Sequence, residues 1–161
     1  MEAVAEPYAP ARSQGYRGIL WGGLIAGVFD ITYACVAWGL RGRSPVWVLQ
    51  SVATGWLGAR AFTGGLGAAA LGLVSHFMIA FGWAAIYYAA SRKLRFMVRQ
   101  ALLCGLLYGI AIFLFMNWVV IPLSAAPFKI PFTFAVLWKG FVSHALLIGL
   151  PIALAVRRYG K

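Results

Sequence analysis

The stretch GILWGGLIAGVFDITYACVAWGL, residues 18–40, decides the fold. It carries one charged side chain, Asp30, in an otherwise apolar run. At about 1.5 Å of rise per residue, a helix of this length covers about 35 Å, enough to cross a hydrocarbon layer of ~30 Å. Lipid offers no partner to backbone N–H and C=O groups, so the segment must satisfy them internally, as a helix does. Three further runs share these properties: Leu66–Ala90, Ala101–Ile121 and Phe134–Val156. The chain therefore reads as an all-α integral membrane four-helix bundle, with spans at 18–40, 66–90, 101–121 and 134–156.

Composition points the same way. Of the 161 residues, 63% are hydrophobic and 11% charged, against about 45–50% and about 25% in soluble domains. A chain of this size has too little interior to hide that apolar surface from water, so its partner is the lipid bilayer. The same numbers exclude a disordered chain, a secreted disulfide scaffold and a coiled coil. Residues 1–17 contain Glu2, Glu6, Pro7 and Pro10 and lack the basic-then-apolar pattern of a signal leader, so they read as a cytoplasmic tail.

The net charge of +11, from 14 Lys+Arg and 3 Asp+Glu, raises the question of a nucleic-acid partner. Its placement answers that question. Arg12, Arg17, Arg92, Lys93, Arg95, Arg99, Arg157, Arg158 and Lys161 flank one end of the spans; Arg41, Arg43, Arg60, Lys129 and Lys139 belong to the other. Basic residues distributed in this way set topology, with both termini and the basic end 157–161 in the cytoplasm, and no nucleic acid is needed to explain them.

Between the first two spans lies SPVWVLQSVATGWLG, residues 44–58. Ser44 followed by Pro45 is a helix start, because the serine can cap and the proline fits the first helical position. The helix expected over 45–58 is about 20 Å long, too short to cross, and reads as interfacial or shallowly re-entrant. Trp47 and Trp56 are its expected headgroup anchors.

The two halves echo each other. Arg17-x-x-Leu20-x-x-Gly23-Leu24-x-x-Gly27 opens the first span and Arg99-x-x-Leu102-x-x-Gly105-Leu106-x-x-Gly109 the third. Gly72-x-Val74-Ser75-His76 in the second matches Gly140-x-Val142-Ser143-His144 in the fourth, and these are the only histidines of the chain. A 2+2 parallel internal repeat accounts for both matches, with a pseudo-twofold axis along the membrane normal. Gly23, Gly27, Gly105 and Gly109 form small-xxx-small pairs suited to helix packing.

The polar residues inside the membrane are the candidate site. Asp30 lies at the middle of its span, where an acid costs about 2.5–3.5 kcal/mol to insert, and it shares a helical stripe with Gly23, Gly27, Ala34 and Ala37. His76 and His144 fall near the middle of theirs; Asn117 lies farther from the termini. Three readings stay open: hydrogen bonds that specify helix pairing, a haem b held by His76 and His144 between facing helices, and a titratable relay for protons or solutes. A relay would call for a homo-oligomer or a larger membrane complex, because four helices enclose little aqueous volume. No pair of metal ligands stands at i, i+3 or i, i+4, so no metal site is expected. Ser75 and Ser143 precede their histidines directly; adjacent helical residues point to different faces, so no catalytic pair is expected there and the chain reads as non-enzymatic. Cys35 and Cys104 fall at different depths and read as small apolar residues.

The run Arg43–Gly58, the motif Gly72-Leu-Val-Ser-His76 and the segment Asn117-Trp-Val-Val-Ile-Pro-Leu-Ser124 resemble a group of small four-span bacterial inner-membrane proteins. More distantly, the arrangement of spans and the histidine are similar to the YagU-like inner-membrane proteins, which are associated with acid tolerance, although this chain lacks their larger loops and tail. The resemblance implies a bacterial inner membrane and a four-helix unit, and it assigns no site residues.

Overall fold

The computed structural model describes residues 15–128, 131 and 133–159. The apolar runs form four long helices: α1 (Gly15–Gly39), α3 (Gly65–Lys93), α5 (Ala101–Leu123) and α6 (Phe134–Tyr159), each long and apolar enough to cross a membrane. Two shorter helices, α2 (Pro45–Leu57) and α4 (Phe96–Arg99), follow α1 and α3. Among the described residues there is no strand. Residues 1–14 of the expected tail, with Lys129 and Lys161, lie outside the described residues. Helices α3 and α6 run on past the apolar stretches to Lys93 and Tyr159, because Arg92, Lys93, Arg157 and Arg158 suit the negative ends of their dipoles.

The long helices close into a ring. Helix α1 packs between α3 and α6, and α5 packs on α6. The fourth contact, between α3 and α5, is made by long aromatic side chains: Tyr108 lies 4.9 Å from Tyr87 and 6.0 Å from Trp83, centroid to centroid. The Tyr108 hydroxyl donates to the Trp83 carbonyl at 2.8 Å, satisfying the one polar atom such a ring brings inside. The core, with Ala26, Ala84, Tyr87, Ile148, Ile152 and Val156, sits in the half of the bundle nearer the termini. Leu20, Leu24, Val28, Leu66, Met78, Leu102 and Leu107 point outward and are exposed, so lipid is the solvent that covers them.

Two close approaches build the helix hairpins. In the first half, Gly23 faces the Phe81 ring and Gly27 the Phe77 ring. In the second, Gly105 faces Gly149, and Gly109 faces the backbone of His144 and Ala145. The sequence match pairs Gly23 with Gly105, Gly27 with Gly109, Phe77 with Ala145 and Phe81 with Gly149. The same positions thus meet in both hairpins, filled by rings on glycine in one and by glycine on glycine in the other.

Helix α2 starts as expected: the Ser44 hydroxyl accepts from the Trp47 N–H at 3.2 Å and Pro45 takes the first turn. It stops at Leu57 because Gly58 adopts φ +59°, which glycine alone takes without strain. A tight 3-10 turn, Gly58–Thr63, then leads back to α3. Helix α2 does not lie flat across the bundle end. Gln50 donates to the Gly65 carbonyl and Trp56 to the Ser75 hydroxyl, both at 3.0 Å, so α2 follows α3 over its first ten residues, about 15 Å. Trp56, although its ring is exposed, is tied by its indole N–H to a serine ten residues into α3. Trp47 remains at the end of the bundle, stacked on Phe62 at 5.3 Å with the Arg43 guanidinium 4.8 Å above it.

Each of the last two spans contains one widened, π-type turn, Met116–Val120 in α5 and Ala145–Gly149 in α6. Pro122 and Pro151 explain them. Proline has no N–H to offer the carbonyl four residues back, and its ring crowds that carbonyl. The carbonyls concerned belong to Trp118 and Leu147, inside the two widened turns, where a π adjustment accommodates the lost bond.

Candidate functional site

Asp30, His76 and His144 come together where α1, α3 and α6 meet. Helix α1 presents Asp30 one turn beyond Gly27, and the bare Gly27 backbone lets α3 approach closely enough for His76 to reach it. The His76 Nε2–H donates to the Gly27 carbonyl at 2.9 Å, which fixes the ring and its tautomer. Its other nitrogen, Nδ1, then faces the Asp30 Oδ2 at 4.0 Å. The His76 side chain is 11% exposed and that of Asp30 26%, so the acid is the more accessible partner.

His144 enters from the other half. It lies on α6, whose later turns pack on α1, the helix that carries Asp30. The His144 ring stands edge-on to Phe113 at 5.1 Å, and its Nδ1 lies 3.3 Å from the Ser143 hydroxyl. This contact corrects the expectation that adjacent Ser and His point apart. The Ser143 hydroxyl also lies 3.2 Å from the Gly140 carbonyl, to which it donates.

Asn117 is not part of the cluster. Its Nδ2 donates to the Phe113 carbonyl of its own helix at 2.8 Å, and its Oδ1 is buried with no partner among the described residues. The sequence placed it among the polar residues by type. Its burial comes from the widened turn it sits in, which the nearby Pro122 signals. Cys35 and Cys104 are both free thiols.

A crevice of about 240 Å³ opens beside the cluster, between Tyr33 of α1 and Trp138, Lys139, Val142, Ser143 and Leu146 of α6. It exists because α1 packs on the second half of α6 and not on its first turns. Tyr33 follows Asp30 by one turn, and Ser143 touches His144, so both walls carry direct neighbours of the cluster. On the side of the termini the cluster is closed by Phe77 and Phe81 over Gly27 and Gly23, and by the buried Ala26, Ile148 and Ile152. The cluster is thus shut toward the termini, with the crevice beginning on its other side.

A bis-histidine haem does not fit this geometry. The iron would need a nitrogen from each imidazole, whereas His76 directs Nε2 to a backbone carbonyl and Nδ1 to Asp30, and Phe113 packs on the His144 ring. Among the described residues no group of three His, Cys, Asp or Glu side chains is placed to hold a metal ion. No protein-family model, no curated protein and no solved structure matches the chain.

Proposed function

We propose that this multi-pass membrane protein is a non-enzymatic membrane subunit or small-transport component whose Asp30–His76–His144 cluster takes up and releases protons. The observation that carries the reading is the single carboxylate 4.0 Å from the His76 imidazole, on a helix packed against the one that carries His144. An acid at that depth is expensive unless paired, and such residues mark ion or proton paths. The crevice past Ser143 and Tyr33 supplies the route of exchange from one side. Passage to the other side would need the Phe77–Phe81 seal to open, in one chain or within a homo-oligomer or larger complex.

The matched hairpin contacts support a 2+2 duplication. Basic residues Arg17, Arg92, Lys93, Arg95, Arg99, Arg157 and Arg158 at one end support a bacterial inner-membrane setting with cytoplasmic termini. The resemblance to small four-span and YagU-like inner-membrane proteins agrees with that setting.

The test is proton flux into proteoliposomes holding a pH-sensitive dye. Wild type should acidify the lumen under an imposed gradient, and Asp30→Asn should lower the rate at least ~10-fold, because it removes the charge that stabilises the His76 imidazolium. Absence of flux in wild type between pH 5 and pH 8 would remove the transport reading. The purified protein should show no Soret band after haem supplementation; a stable band lost in both His76→Ala and His144→Ala would restore the haem reading.

A further inference from the structure

A second concavity lies at the opposite end of the bundle from the crevice, and the cluster does not use it. It has a volume of about 550 Å³ and is lined by Val98 and Arg99 at the end of α4 and by Leu154, Arg157 and Arg158 at the end of α6. Three guanidinium groups therefore converge on one hollow with two aliphatic side chains. None of the three has an ion-pair or hydrogen-bond partner among the described residues, whose only acid is Asp30, deep in the membrane. The three like charges repel one another, and an anion seated in the hollow relieves that repulsion.

The hollow lies at the end of the membrane-crossing helix α6, and short α4 packs against α6 there. Phe96 and Leu94 beside it are exposed, so lipid chains reach its rim. Arginine forks match phosphate oxygens in pairs, and Val98 and Leu154 offer apolar contact to glycerol and acyl carbons next to that phosphate. The geometry points to a binding site for the phosphate headgroup of an anionic phospholipid, held by Arg99, Arg157 and Arg158. Basic pockets between membrane helices hold anionic headgroups by this chemistry.

The experiment is native mass spectrometry of the full chain released from detergent containing equal amounts of phosphatidylglycerol and phosphatidylcholine. Wild type should retain phosphatidylglycerol at least ~5-fold over phosphatidylcholine. Arg99→Gln/Arg157→Gln/Arg158→Gln should bring the ratio to about 1, and Arg41→Gln/Arg43→Gln at the other end should leave it unchanged. Should the triple glutamine variant fail to fold, Arg99→Lys/Arg157→Lys/Arg158→Lys keeps the charge without the paired donors and should show an intermediate ratio. Equal retention of both lipids by wild type, or an equal loss in the Arg41/Arg43 variant, would overturn the site. A parallel arm adds inorganic phosphate in phosphatidylcholine alone; a bound phosphate that survives there and resists displacement by phosphatidylglycerol would assign the hollow to a soluble anion instead.

Discussion

Gly149→Ala is the sharpest test of the packing, because it adds one methyl where two backbones touch. A Cβ at that position meets the Gly105 carbonyl oxygen, the Gly109 nitrogen and, at 2.7 Å, the Gly109 Cα. Ordinary contact begins at 3.4 Å, so α5 and α6 must separate by at least about 0.7 Å at the crossing. All three atoms are backbone, so no side chain can turn away to make room. Overpacking of this kind costs about 1–3 kcal/mol. The gain in helix propensity from glycine to alanine, about 1 kcal/mol in water, opposes it. The net loss should be about 0–2 kcal/mol, a fall of up to about 8 °C in midpoint for a chain of this size; against a variant that receives the propensity gain alone, the full cost of about 1–3 kcal/mol should show.

The control is Gly82→Ala, in the middle of α3, where a Cβ has nothing within 4 Å. It receives the propensity gain without the collision and should match or exceed wild type. Thermal unfolding in detergent, followed by size-exclusion of the remaining monodisperse fraction, reads both variants. A Gly149→Ala midpoint at or above that of Gly82→Ala would refute the argument that glycine is required there for close approach.

The remaining predictions concern the two features that shape the spans. Trp56→Phe keeps the ring and removes the donor to Ser75, and should cost about 0.6 kcal/mol, typical of a polar contact in a membrane bundle; in a double-mutant cycle with Ser75→Ala the two losses should not add. Pro151→Ala returns an N–H to the Leu147 carbonyl, so hydrogen exchange in the widened turn Ala145–Gly149 should slow relative to wild type.

Much of the bundle was legible because length and apolarity act on whole segments. The depth of α2 was not. Its polar stripe of Gln50 and Thr54 signalled a preferred face, but only the fold shows that this face lies against α3, with Thr54 fully buried. The two widened turns were announced by Pro122 and Pro151, whose missing N–H groups could have been followed back four residues. Gly149 was harder to find: it belongs to no glycine pair of its own, and its role depends on which face of α5 it meets. Asp30, His76 and His144 could be placed at one depth from span lengths. That Asp30 faces the His76 imidazole, and that Ser143 touches its neighbour, depends on rotation about the helix axes, which apolar runs do not encode.

The cluster also shows how a near-symmetric scaffold can yield a single site. Under the proposed duplication Asp30 corresponds to Ile112, which is buried in the core, and Ser143 corresponds to Ser75. Ser143 lines the open crevice, whereas Ser75 is covered by Trp56 of α2, whose end is tied to α5 by the Ala125 N–H donating to the Gly55 carbonyl at 3.0 Å. One half therefore keeps the acid and the other keeps the opening. Ile112→Asp tests this correspondence. An acid placed at random in the core carries an insertion cost of about 2.5–3.5 kcal/mol. At position 112 it should occupy, relative to His144, the place that Asp30 holds relative to His76, and part of that cost should be recovered. Ile152→Asp is the control, since Ile152 is also buried but lies two turns from His144 and corresponds to Ala84, two turns from His76. Ile112→Asp should retain the larger folded yield in membranes, by about tenfold for a recovery of about 1.4 kcal/mol. Further replacement of His144 by Phe should erase the advantage. Equal yields of Ile112→Asp and Ile152→Asp would break the correspondence, and the pairing of Asp30 with His76 would then have to be explained without a duplicated hairpin.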